Sequence, residues 1–184
     1  KKLISVILVL CIALCMAFSA LADAGRGPSE WAKEEVNAAI EAEIVPEELQ
    51  SGFQSGITRF QMIKMMRLVV DKLGGMKRLT PIQDPWADGF NDVSDEDVES
   101  FASLGIIRGV SREKFLPNGI LSRAEIAAFV NRMAYSMGCD TENCSHSFID
   151  VRGHWVDSEL GWPASRGVIL GTTTQPIIDD LVDM

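Results

Sequence analysis

Two stretches of the chain carry one pattern of apolar and polar positions. In residues 121–138 the apolar side chains Ile126, Phe129, Val130, Met133, Ala134 and Met137 recur at the spacing i, i+3, i+4, i+7, i+8, i+11, and in residues 57–74 Met62, Met65, Met66, Val69, Val70 and Leu73 repeat it. That spacing is one stripe of an amphipathic helix. A hydroxyl residue, Ser122 or Thr58, precedes each stripe, with Glu125 or Gln61 three residues on. This is the signature of a capping box, which satisfies two helix-end donors. Leu121 and Ile57 stand before the caps and Ile126 and Met62 four positions after them, as in a hydrophobic staple. Gly138 and Gly74 follow the last apolar residues, where a left-handed glycine ends a helix. The pattern predicts two helices of one design, 64 residues apart.

Each capped helix has a partner upstream. Ser29 is expected to cap an earlier helix with Ala32, Val36, Ala39 and Ile40 inward and Trp31 near its start, ending at Glu43-Ile44-Val45-Pro46. After Phe90-Asn91-Asp92-Val93, a helix bearing Val98, Phe101 and Ala102 runs into Gly105-Ile106-Ile107-Arg108-Gly109, which lies 62 residues beyond Glu43-Ile44-Val45. A third unit opens at Phe148-Ile149-Asp150-Val151, passes His154-Trp155 and reaches Gly167-Val168-Ile169-Leu170-Gly171. The length differences fall in loops, as in stacked repeats. At this spacing a third capped helix would begin at the final residue, so the third unit is read as incomplete.

Residues 1–22 read as a secretory signal, with Lys1 and Lys2, an apolar core and Ala20-Leu21-Ala22 as cleavage site. After cleavage no membrane contact is expected. A retained anchor is the alternative, although the apolar run is shorter than the ~20 residues that span a bilayer. The formal charge of −9, deeper once Lys1 and Lys2 are lost, excludes nucleic acid as a partner.

Arg59 and Arg123 directly follow the caps and so place a cation at the positive end of each helix dipole, at a local cost of ~0.3–1 kcal/mol. Two readings are open. Either an anion is held there by guanidinium and free helix N–H groups together, or an intramolecular salt bridge orients a loop. Cys139, Cys144, His146, Asp150 and His154 lie close in sequence, but the single Cys-x4-Cys pair lacks the second close pair of a zinc site. A loop disulfide or free thiols are expected, with no metal and no cofactor. No nucleophile–base motif stands out, so the chain is read as no enzyme.

In order, Phe-x-Asp-Val, Trp, Gly-Ile-Ile-x-Gly, Phe-x-Pro and Thr/Ser-Arg-Ala-Glu resemble the S-layer homology repeat of bacterial surface proteins. The second unit reads FNDV, GIIRG, FLP and LSRAE; the first carries SEWA, EIVP and ITRFQ; the third carries FIDV, HW and GVILG. The first unit lacks the Phe-x-Asp-Val opening and has Phe60-Gln61 in place of Ala-Glu, and the second has lost the Trp. The resemblance implies an all-α, mostly helical chain of tandem helix-loop-helix repeats packed as a pseudo-threefold bundle. Its divisions would be a signal peptide at 1–22, a first repeat at 23–78, a linker at 79–89, a second repeat at 90–138, a linker at 139–147 and a partial third repeat at 148–184.

The function it implies is non-covalent anchoring to the bacterial cell wall through secondary cell-wall polysaccharide, often bearing pyruvate ketals. The alternatives are a surface-assembly subunit without glycan affinity, or the anchor portion of a longer wall-active enzyme. Arg59 and Arg123 would hold a ketal carboxylate. Trp31 and Trp155 would stack on sugar rings, or serve as core anchors. Gly109 and Gly171 would let backbone approach the ligand, or permit a turn. Asp92, Asp150 and Glu125, within the repeat motifs, complete the candidate ligand-binding set. The protein would be secreted to the cell wall or cell surface, and the side that the missing helix leaves open is expected to make it either marginally stable as a monomer or self-associating.

Overall fold

The computed structural model describes residues 27–82 and 89–170. Residues 1–22, Gly171 and the end of the third repeat lie outside the described residues. Among the described residues the chain is helical, with two isolated bridges and no strand. It divides into two compact units, Lys1–Gly56 and Ile57–Met184.

The first unit holds a 3-10 turn, Glu30–Ala32, helix α1, Lys33–Glu41, and a second 3-10 turn, Glu47–Leu49. Ser29 does not cap it: its side chain makes no bond to the helix start and instead accepts from Gln54 Nε2 at 3.1 Å. The chain enters α1 through a 3-10 turn, and Ala32 occupies the capping position. No residue of α1 is buried, so its apolar face is only half covered.

The C-terminus of α1 is a Schellman motif, with Glu43 N–H on the Ile40 carbonyl at 2.8 Å and Ile44 N–H on the Ala39 carbonyl at 3.1 Å. Glu43 takes the left-handed position, φ 55°. Gly105 and Gly167, each 62 residues further on, close the same pair of bonds at φ 73° and 70°. Glutamate in that conformation is strained where glycine is not. Glu43→Gly is therefore expected to stabilise the first unit by on the order of 0.5–1 kcal/mol, read as a higher urea midpoint; an unchanged midpoint would contradict it.

The second unit contains α2 (Arg59–Lys72), α3 (Glu96–Ser103), α4 (Arg123–Ser136) and the short α5 (Gly161–Ser165). Both predicted capping boxes are formed. Gln61 N–H donates to Thr58 Oγ1 and Thr58 N–H returns to Gln61 Oε1 at 2.8 Å; Glu125 N–H donates to Ser122 Oγ and Ser122 N–H returns to Glu125 Oε2 at 3.0 Å. Gly74 and Gly138 stop the helices at φ 112° and 86°, as expected.

The predicted stripe is rotated on α2. Met62, Ile63, Met66 and Val70 are buried, Met65 and Val69 are half-buried, and Leu73 is 54% exposed at the helix end. Helix α4 departs further, because it has two inward faces. Phe129, with Ile126, Val130 and Met133 beside it, joins a large cluster that includes Ile63, Met66, Phe101, Ile107 and Phe115. Ala124, Ala127 and Ala128 face a second cluster of Val151, Val156, Leu160 and Ile169. Small side chains there let the third-repeat segments approach the helix closely. Accordingly α2 packs on α3, and α4 packs on α5 and on the 3-10 turn Asp157–Glu159. Helices α2 and α4 thus each seat the helical segment that follows them in the chain.

Residues 79–82, expected as linker, are fastened down. Leu79 is buried, Thr80 N–H reaches the Ser136 carbonyl at 2.8 Å, and Ile82 N–H reaches the Leu104 carbonyl at 2.9 Å.

Candidate functional site

The starts of α2 and α4 lie side by side. Leu121 N–H donates to the Ile57 carbonyl at 3.0 Å and Arg59 N–H to the Gly119 carbonyl at 2.8 Å, an antiparallel bridge between Thr58 and Ile120. Phe60 N–H donates to the Pro117 carbonyl at 2.9 Å. Two of the end donors of α2 are therefore satisfied by the 117–119 turn, leaving them unavailable to an anion.

Arg59 is 2% exposed. Its Nε donates to the Phe115 carbonyl at 2.6 Å, Nη1 to Glu125 Oε1 and Nη2 to the Arg108 carbonyl. Its guanidinium carbon lies 4.9 Å from the Phe115 ring centroid and 5.3 Å from that of Phe129, within range of cation–π attraction. Burial pulls the Arg59 pKa below its ordinary value, against the opposing pull of Glu125 and Asp92. Of the two readings open for Arg59, the geometry supports the intramolecular one. Glu125 is engaged at both oxygens, one on Arg59 and the other on the N–H and hydroxyl of Ser122.

Asp92 accepts the N–H groups of Phe115 and Leu116, each at 2.8 Å. Desolvation pushes its carboxyl up, but these bonds outweigh it and hold the pKa below the usual carboxylate range. Phe90 of the same motif is buried, its ring centroid 5.3 Å from that of Phe115. Gly109 packs into the same junction: a Cβ there would lie 2.3 Å from the Lys114 carbonyl oxygen, 2.5 Å from that of Ser111 and 2.6 Å from the Phe90 ring. A packed turn, the plainer of its two readings, accounts for this glycine. Gly109→Ala is expected to cost about 1–3 kcal/mol as overpacking against backbone; a variant melting with its parent would contradict the assignment. Arg59 and Asp92 thus direct their polar groups at the loop of residues 108–121, Gly109 packs within it, and Glu125 joins through Arg59.

The remaining candidates lie elsewhere. Arg123 is partly exposed, and its Nη2 donates to the Leu170 carbonyl at 2.6 Å. Leu170 lines, with His146, Phe148, Ser165 and Ile169, a cleft of about 460 Å3. His146 Nδ1 accepts the Phe148 N–H at 3.2 Å, which places the neutral ring's proton on Nε2, facing the Asp157 carbonyl at 2.9 Å. The ring stacks on Phe148 at 5.2 Å. Trp155 is 52% exposed and Trp31 85% exposed, so neither anchors a core. Asp150 is exposed. In sequence His146 stood out only beside the cysteines, because nothing local joins residues 145–148 to 165–170.

Sequence reading also missed a buried ion pair. Glu159 accepts Arg132 Nε at 2.8 Å and Asn131 Nδ2 at 2.9 Å, and Arg132 is 6% exposed. Burial lowers the Arg132 pKa, Glu159 opposes it and Arg108 adds repulsion.

Cys139 and Cys144 are free thiols, so the expected loop disulfide gives way to the other reading; Cys144 Sγ is turned to the Asp140 carbonyl at 3.8 Å. No group of three or more His, Cys, Asp or Glu side chains among the described residues is placed to hold a metal ion. Nor, among them, is any helix long and apolar enough to cross a membrane.

Residues 90–127, from the Phe90 motif to the second turn of α4, match a family model described as S-layer homology domain. No curated protein matches the chain.

Proposed function

Since the chain carries an S-layer homology domain at residues 90–127, a module that generally mediates cell-wall anchoring, we propose that it binds secondary cell-wall polysaccharide bearing pyruvate ketals. The match over residues 90–127 carries this reading, and the cleft beside Arg123 supports it. Arg123, at the start of α4, meets the ketal carboxylate at the rim, while Phe148 offers an apolar face to a sugar ring. In a chain of formal charge −9 an anion has to be held at short range, inside the ~8 Å screening length. Exposed Trp155 offers a second stacking surface, and Trp31 one in the first unit. The stop motif at Glu43, Gly105 and Gly167 supports a threefold repetition along the chain. The protein acts as a secreted binding module at the cell surface and catalyses no reaction.

Co-sedimentation with bacterial sacculi tests this. Binding should be lost when wall polymers are stripped by acid, and Arg123→Ala should weaken it about tenfold or more, as a charge-assisted bond of ~1.5–3 kcal/mol disappears. Equal sedimentation with stripped sacculi would sink the proposal and favour a surface-assembly subunit without glycan affinity.

A further inference from the structure

The turn that caps α2 holds a reactive dipeptide. Asn118 is the only asparagine in the chain followed by glycine. It is exposed at the tip of the turn closed by Gly119 N–H on the Leu116 carbonyl at 2.9 Å, and its side chain makes no hydrogen bond among the described residues. With Pro117 before it and a negative φ, Asn118 occupies the third position of a type I turn. Leu116, the first residue of that turn, is held at φ 61°, a left-handed conformation unfavourable for leucine. The Gly119 N–H bond, next to a strained residue, has to open before the Gly119 nitrogen can reach the Asn118 amide.

We propose that Asn118 is a self-modification site at which the chain deamidates in water. The Gly119 nitrogen, its proton taken by hydroxide, attacks Asn118 Cγ. The N–Cγ bond forms, the Cγ–Nδ2 bond breaks, and the amide nitrogen leaves as ammonia. Water then opens the five-membered imide at either carbonyl, giving a carboxylate and restoring an N–H. Opening at the main-chain carbonyl yields isoaspartate, in which the backbone gains a methylene between Pro117 and Gly119. The carbonyls of those two residues are the acceptors for Phe60 N–H and Arg59 N–H at 2.9 and 2.8 Å. A longer connection cannot keep both in register, so the start of α2 loses an acceptor from this turn and Arg59 its setting.

The whole chain is aged in mildly alkaline buffer, and the tryptic peptide of residues 115–123 is followed by mass and by isoaspartyl methyltransferase labelling. The proposal expects that peptide to deamidate faster than those holding Asn37, Asn91, Asn131 or Asn143. Its rate should lie within about tenfold of the urea-unfolded rate, as for a locally opening turn. A rate further below the unfolded one, or no faster than at the other asparagines, overturns it. Asn118→Gln should abolish the labelling; labelling that persists places the reaction elsewhere. Aged protein should melt several degrees below Asn118→Asp, which has the same charge without the methylene. If the two melt together, the inference about the cap is wrong.

Discussion

Arg59→Met is expected to lower stability by about 3–5 kcal/mol, the range for breaking a buried ion pair from one side. The substitution keeps an unbranched apolar stem against Phe115 and Phe129. It leaves Glu125 without its counter-ion and the carbonyls of Phe115 and Arg108 without their donor. For a chain of 184 residues this corresponds to a fall in Tm of roughly 2–4 °C per kcal/mol. Arg123, at the equivalent position of α4 but partly exposed, should behave oppositely: Arg123→Ala is expected to change Tm little, within the ~1 kcal/mol typical of surface charges. Thermal unfolding of the two variants side by side checks this, and equal losses would contradict the division of roles.

Glu159→Ala is expected to be comparably severe, again about 3–5 kcal/mol, because it strands Arg132, whose side chain is 7% exposed, and removes the acceptor of Asn131. An internal control exists. Asp97 lies 62 residues before Glu159 and makes the corresponding contacts from α3 to Lys64 and Arg67 on α2. Those partners are 33% and 34% exposed, so Asp97→Ala should cost no more than about 1 kcal/mol. The Glu159 variant should also lose hydrogen-exchange protection in residues 157–169, since the same contact seats that segment on α4. Similar melting of the two alanine variants would show that burial does not set the cost.

What the sequence made legible is what is decided within four or five residues. The capping boxes at Thr58 and Ser122 and the stops at Gly74 and Gly138 depend on local bonds alone, and they formed as read. The second face of α4 was hidden because Ala124, Ala127 and Ala128 carry little apolar weight in a periodicity, although close packing against Val151, Val156 and Leu160 requires them to be small. The rotation of α2, which buries Ile63 and exposes Leu73, is set by neighbours from residues 90–129. Arg59 had two local readings of equal merit. Its partners at Arg108, Phe115 and Glu125 decide between them, and they lie 49 to 66 residues away. Asp92 is similar: as part of a sequence motif it looked like a ligand contact, whereas its bonds fasten the Phe115–Leu116 backbone.

The most direct test of wall anchoring is calorimetric titration of the whole protein with purified secondary wall polysaccharide and with the same polymer stripped of its pyruvate ketals. The account predicts heat of binding with the ketal-bearing polymer, at least tenfold weaker affinity for the stripped one, and a similar loss on Arg123→Ala. Equal affinity for both polymers, or binding untouched by Arg123→Ala in a folded variant, would contradict it.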